Sequence, residues 1–180
     1  AYTYLLPFTP GREAQAYVMA SPPNAGPASR NNWYVIRINM KPGDTIYAAR
    51  RGVVTEVEDS DSSNDAGVSG AGHENYVEIV QGDCSFGRYG ILKSTSALVK
   101  PGQLVKAGEP VGLVGGDQYG RGSEIRFSVY YIPGIAGPSN GTEVPEANRI
   151  YIPLQFWTKN KGRGKLKNGA VYTSEFPIAA

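Results

Sequence analysis

Apolar and polar side chains alternate along much of this chain, and no stretch carries the 3.6-residue period of an amphipathic helix. The alternation is cleanest at residues 123–131 (SEIRFSVYY). Successive side chains of a strand point to opposite faces, so Ile125, Phe127 and Val129 share one face and Glu124, Arg126 and Ser128 the other. The first set is expected to face a core. The second puts opposite charges two residues apart on one face, as the floor of a groove would.

Residues 74–81 (ENYVEIVQ) alternate in the same way. Runs rich in β-branched and aromatic residues at 33–39 (WYVIRIN), 45–49, 52–58 (GVVTEVE) and 87–92 (GRYGIL) predict further strands. Residues 4–10 (YLLPFTP) predict an opening strand that ends in a turn, and 98–113 (LVKPGQLVKAGEPVGL) short strands parted by KPG and KAG turns. Residues 150–157 and 170–174 predict a closing hairpin. Residues 20–30 (ASPPNAGPASR) and 115–122 (GGDQYGRG) have the composition of loops, and 59–72 (DSDSSNDAGVSGAG) that of a long surface loop inserted into a hairpin. The expected fold is all-β, an antiparallel sheet folded around a groove, with the inserted loop near 59–73.

Length and composition agree. A chain of 180 residues suits one domain, 1–180, with a core that needs no staples, and its 23 Gly and 13 Pro suit short strands joined by turns. Cys84 is the only cysteine, which rules out an intrachain disulfide and leaves the redox compartment open. A net charge of +2 is too small to predict a nucleic-acid partner. The one basic cluster, residues 159–167 (KNKGRGKLK), is broken by glycines; it reads as a solvated hairpin turn in preference to a site for a specific anionic partner. No run of 18 apolar residues predicts a transmembrane segment.

The order of the segments resembles the lysostaphin-type zinc metallopeptidases, the peptidoglycan endopeptidases. Residues 41–57 (KPGDTIYAARRGVVTEV) are similar to the family's strand-turn-strand, residues 88–116 (RYGILKSTSALVKPGQLVKAGEPVGLVGG) to its Tyr-x-His-Leu and Val-Lys-x-Gly-x-x-Val-x-x-Gly segments, and residues 120–130 (GRGSEIRFSVY) to its closing His-x-His strand. The resemblance covers a core of about 30–131, with a leader strand and loops at 1–29 and a C-terminal hairpin extension at 132–180. It implies the family's fold and an extracytoplasmic location: periplasmic, secreted or on the outer surface.

Catalytic zinc takes three protein ligands and leaves one position open for water. In the family these are the His and Asp of His-x-x-x-Asp and the second His of His-x-His, with two further histidines assisting. Carried onto this sequence, the His and Asp fall at Trp33 and Arg37, the Tyr-x-His-Leu histidine at Ile91, and the His-x-His pair at Glu124 and Arg126. A guanidinium keeps its proton in a protein and cannot ligate zinc. The resemblance therefore implies a degenerate member with no metal, no cofactor and no catalytic residues. If the fold matches, Arg37, Glu124 and Arg126 converge where the metal sat, and guanidinium charge replaces the cation's.

The function expected is that of a non-catalytic peptidase-like domain. It binds peptidoglycan or an envelope partner protein through a vestigial groove lined by Trp33, Arg37, Tyr89, Ile91, Glu124 and Arg126, and binds no nucleic acid. Two alternatives stand beside it. One is an active cell-wall hydrolase with a relocated metal or a metal-free site, for which Glu124 and Tyr89 are the available groups. The other is a structural module of an envelope assembly.

Other motifs add little. His73, the only histidine, reads as a loop residue. Asp59, Asp61, Asn64 and Asp65 crowd one loop but miss the EF-hand pattern and read as solvated acids. The glycines of GVSGAG and GGDQYGRG suit turns, since neither set opens a helix after a strand. Cys84 reads as an incidental thiol, and Asn140-Gly-Thr is a bare glycosylation sequon. Trp33, Tyr34, Tyr89, Tyr119 and Tyr130 recur near the supposed groove and read first as core or cross-strand residues.

Overall fold

The computed structural model describes residues 2–19, 33–61, 74–116, 122–133 and 149–177. Among them are fourteen strands and no helix. In chain order they are β1 (Thr3–Leu5), β2 (Glu13–Met19), β3 (Val35–Asn39), β4 (Thr45–Tyr47), β5 (Gly52–Glu58), β6 (Tyr76–Gln81) and β7 (Phe86–Gly90). There follow β8 (Leu104–Val105), β9 (Pro110–Leu113), β10 (Glu124–Tyr131), β11 (Ile150–Tyr151), β12 (Gln155–Thr158), β13 (Gly162–Gly164) and β14 (Val171–Thr173).

A nine-stranded sheet dominates, ordered β14-β2-β3-β10-β7-β6-β5-β8 with β11 also on β10. Its pairs are antiparallel. A three-stranded sheet, β1-β12-β13, and the β4–β9 pair complete the fold. The one parallel pairing among the described residues, β1 with β12, joins the two ends of the chain. The sequence carries no local signal for it, because a parallel pair needs a long connection and here that connection is most of the protein.

The alternation of β10 decides which face is core. Ile125, Phe127 and Val129 lie in the main cluster with Ile36, Ile38, Val77, Ile79 and Tyr89 from the same sheet, Tyr4 and Phe156 from the small one, and Ile46 and Val111 from β4–β9. The Phe127 ring is 4.9 Å from Tyr89, 5.9 Å from Tyr4 and 6.1 Å from Phe156, centroid to centroid. Burying one such side chain contributes roughly 1.5–3 kcal/mol. On the opposite face a smaller cluster gathers Trp33, Val35, Phe86, Tyr130, Ile132 and Tyr151.

β5 and β6 are antiparallel neighbours, so the long insertion does connect two strands of a hairpin; its residues 62–73 lie outside those described. Gly52 in β5 is required by packing, since a Cβ there would stand 2.3 Å from the Val80 carbonyl oxygen.

Two expectations fail. β2 (EAQAYVM) has weak β propensity and was not anticipated; it forms because β3 and β14 pair with its two edges. The closing hairpin of 150–157 with 170–174 does not form: β12 pairs with β1 and β13, and β14 pairs with β2. Each segment has strand character, but pairing depends on where the sheets end.

Candidate functional site

Arg37 on β3 and Arg126 on β10 are direct cross-strand partners. Like charges so placed repel. One carboxylate resolves the conflict: Glu124 Oε2 lies 3.6 Å from Arg37 Nε and 3.5 Å from Arg126 Nε. A second carboxylate, Glu74, enters from just before β6 and places Oε1 3.4 Å from Arg126 Nη1. Arg37 also stacks over Tyr17, its register partner on β2, at 4.3 Å from the ring centroid. Gly90 faces Arg126 from β7, and its missing side chain makes room: a Cβ there would stand 3.0 Å from Glu74 Oε2. The side chains are 3% (Glu124), 9% (Arg126), 14% (Arg37) and 20% (Glu74) exposed, so the cluster is floored by the sheet and its exposure is greatest at Arg37 and Glu74.

This is the expected Arg–Glu–Arg arrangement, with Glu74 added. Sequence reading missed Glu74 because it precedes its strand and meets Arg126 across 52 residues of chain. The contacts to Nε are ion pairs without hydrogen-bond geometry, so the attraction is Coulombic.

The other residues assigned to the groove part company. Tyr89 lies on the core face, one residue out of phase with Gly90, and its hydroxyl accepts a 2.7 Å hydrogen bond from the Ala49 amide. Burial drives its pKa well above the ordinary tyrosine value. Glu124 and Tyr89 are therefore on opposite sides of one sheet and cannot act on the same bond. Trp33 sits in the small cluster near Tyr130 and Tyr151, with ring centroids 6.0 Å apart for Trp33 and Tyr151. Tyr130 and Glu124 are six residues apart on β10, which is about 20 Å of strand.

Ile91 follows β7 directly, is fully buried, and takes φ = 67°. That conformation is strained for a β-branched residue. The backbone holds it there: its amide donates to Asn75 O at 2.8 Å, and its carbonyl accepts from the Gly115 amide at 2.9 Å.

A second buried polar group on the same face as Arg126 was not anticipated. A bulge in β5 brings Glu56 opposite Glu78. Glu78 accepts hydrogen bonds from the Thr55 hydroxyl (2.7 Å) and from the Tyr130 hydroxyl, while Glu56 accepts one from the Tyr76 hydroxyl (2.7 Å). Arg88 stacks on Tyr76 at 3.8 Å and Arg149 on Tyr130 at 5.0 Å. Burial, and then the Glu78 charge, push the Tyr130 pKa far up. The alternating Tyr76 and Glu78 were a legible signal; their partners, from β5, β7, β10 and the residue before β11, were not.

In the acidic loop, the Asp59 carboxylate accepts the Ala97 amide at 3.0 Å, and Asp61 exchanges backbone hydrogen bonds with the Asn75 side chain at 3.0 and 2.8 Å. Both residues pin the loop base, Asp59 through its carboxylate and Asp61 through its backbone. Asn64, Asp65, His73, Tyr119 and Asn140 lie outside the described residues.

Zinc does not fit this donor set. Two guanidiniums stand against the one central carboxylate, offer no lone pair, and repel a dication. Among the described residues no group of three or more His, Cys, Asp or Glu is placed to hold a metal ion.

The sequence profile of peptidase family M23 matches residues 31–144. The chain belongs to this family, that of the lysostaphin-type peptidases, and its positions for the zinc ligands carry other residues. Solved structures share the fold. A variant catalytic domain of the prophage-encoded M23 protein EnpA from Enterococcus faecalis is 23% identical, with a TM-score of 0.51 over 79% of this chain and 95% of that one. The M23 metalloprotease pseudoalterin from the deep sea is 14% identical, with a TM-score of 0.53 over 98% and 97%. The antimicrobial peptidase lysostaphin from Staphylococcus simulans is 18% identical, with a TM-score of 0.52 over 77% of this chain and 48% of that one. No curated protein sequence matches.

Proposed function

We propose that this member of the peptidase family binds its target without cleaving it. The target is peptidoglycan or an envelope partner protein, held outside the cytoplasm through the rim of the former metal site. The observation that carries the reading is Glu124 bracketed by Arg37 and Arg126, with Arg37 partly exposed at the rim and stacked over Tyr17. The charge that a metal would supply is provided by guanidiniums, which suit planar bidentate recognition of carboxylates on a peptide. The test has two arms. Purified protein incubated with zinc and dialysed is expected to retain less than about a tenth of an equivalent, because an intact three-ligand site holds its zinc tightly. Isolated sacculi are expected to pull the protein down, and Arg37→Ala to weaken the interaction while leaving the fold intact. Near-stoichiometric zinc, or wall lysis abolished by Glu124→Ala, would instead make the protein a hydrolase. Capture of an envelope protein with no affinity for sacculi would select the partner over the wall.

A further inference from the structure

The basic run at 159–167 contains the solvated hairpin turn that the sequence predicts, and extends beyond it. Its first residues close the β12–β13 hairpin, and the remainder follows β13, the edge strand of the three-stranded sheet. Lys159, Lys161, Arg163, Lys165 and Lys167 occupy every second position, and all five are exposed. The residue between the last two, Leu166, is buried in the main core. Alternation thus turns Arg163 and Lys165 outward together, with cations repeating about every 6.6–6.8 Å along an extended chain.

Arg163 pairs in register with Trp157, which pairs on its other side with Leu5. Trp157 is half-buried, and its indole N–H donates to Glu175 Oε2 at 2.9 Å, which fixes the ring. The outer face of this sheet is therefore an aromatic platform bordered by a row of cations. Among the described residues none of the five cations is ion-paired; Lys161 stacks on Tyr172 at 4.9 Å. Charge is segregated as well: these five belong to a chain with a net charge of +2, so the rest carries a net charge of −3.

We infer that the outer face of β1-β12-β13 docks an anionic polysaccharide, with Trp157 stacking on a sugar ring and Arg163, Lys165 and Lys167 pairing with successive acid groups. The surface lies across the core from the Arg37–Glu124 cluster, so the inference does not rest on the binding role proposed for that cluster. A lipid surface suits it less. The hairpin exposes no large apolar side chain that would enter a bilayer. Lysines also protect sheet edges from unwanted pairing. That role needs charge alone, and predicts neither an aligned aromatic nor affinity for a polyanion.

The experiment is titration of the full chain with polygalacturonate, using dextran as the neutral polymer, phosphatidylglycerol vesicles as the anionic lipid and oligothymidylate as the nucleic acid. Polygalacturonate is expected to bind, more weakly as salt rises, and dextran not to bind at a comparable concentration. The Arg163→Glu/Lys165→Glu/Lys167→Glu variant is expected to lose at least tenfold in affinity and to flatten the salt dependence, since each lost contact removes counterion release. Lys93→Glu/Lys100→Glu/Lys106→Glu, the same charge change on other exposed lysines, is expected to change affinity less than threefold; circular dichroism checks that both variants fold. Trp157→Leu is expected to weaken binding most visibly at high salt, where the charges are screened. The inference is overturned by equal effects of the two charge reversals, by equal binding of dextran, or by tighter binding of the vesicles or the oligonucleotide than of polygalacturonate. Full-strength binding by the hairpin reversal would also end it.

Discussion

Arg37 and Arg126 face each other across the β3–β10 ladder, and the same oxygen of Glu124 lies within 3.6 Å of both Nε atoms. The pair of like charges is tolerable because that carboxylate is buried with them and Glu74 adds a second beside Arg126. Glu124→Gln is therefore expected to destabilise the fold by roughly 3–5 kcal/mol, as removing one partner from a buried ion pair does. Urea unfolding measures it. Replacing all three residues by Leu or Met is expected to recover the loss, since well-packed apolar groups often equal or exceed a buried ionic triad. A triple variant as unstable as Glu124→Gln would show that the charges themselves hold the strands.

Ile91 supplies a test of backbone strain. At φ = 67°, glycine is at ease and alanine is not. Both Ile91→Ala and Ile91→Gly lose a fully buried side chain, at a cost of about 2–5 kcal/mol. Glycine is expected to be the better of the two by about 1 kcal/mol, the reverse of the order found in ordinary strands. Equal midpoints in chemical unfolding would mean that the left-handed conformation is not retained.

Gly52→Ala tests the packing between β5 and β6. Its Cβ would fall 2.3 Å from the Val80 carbonyl oxygen and 2.5 Å from Ile79 Cγ2, so the backbone must move. A loss of about 1–3 kcal/mol is expected, in line with other overpacked cores. Gly82→Ala, where a Cβ meets nothing within 4 Å, is the comparison and is expected to be nearly neutral.

Alkali should unfold this protein early. The pKa values of Tyr89 and Tyr130 are raised above the ordinary 10.0, in both cases chiefly by burial. The folded state thus keeps protons that the unfolded chain releases. Their contribution is fully present below pH 10 and is lost as pH rises beyond it. Stability measured from pH 8 to 12 is expected to fall above about pH 10, and Tyr130→Phe to make that fall shallower. A pH profile unchanged by Tyr130→Phe would remove this residue from the account.

The wider polar face shows how far a sequence can be read. The inward and outward positions of β10 were legible because alternation is local to the strand. The convergence of Arg37, Glu124 and Arg126 was legible through family resemblance, which supplied the pairing of β3 with β10. Tyr89 was placed on the wrong side because its face depends on Gly90, one residue on, being the partner of Arg126. A shift of one residue in register moves every side chain to the other face, and the short run GRYGIL does not announce its register. Trp33 was grouped with the cluster by motif position alone, whereas it precedes β3 and packs against Tyr151.

The sequence by itself determined the all-β class, most strand positions, the core face of β10, membership in the peptidase family and the replacement of its zinc ligands. Each of these resides in residue identity or in a period of two. Only the tertiary structure decided that Glu74 completes the arginine cluster, that Glu78 and Tyr130 share a buried hydrogen bond, and that β1 and β12 pair in parallel. These are meetings of residues far apart in the chain, and they are set by sheet order and register, which no local pattern encodes.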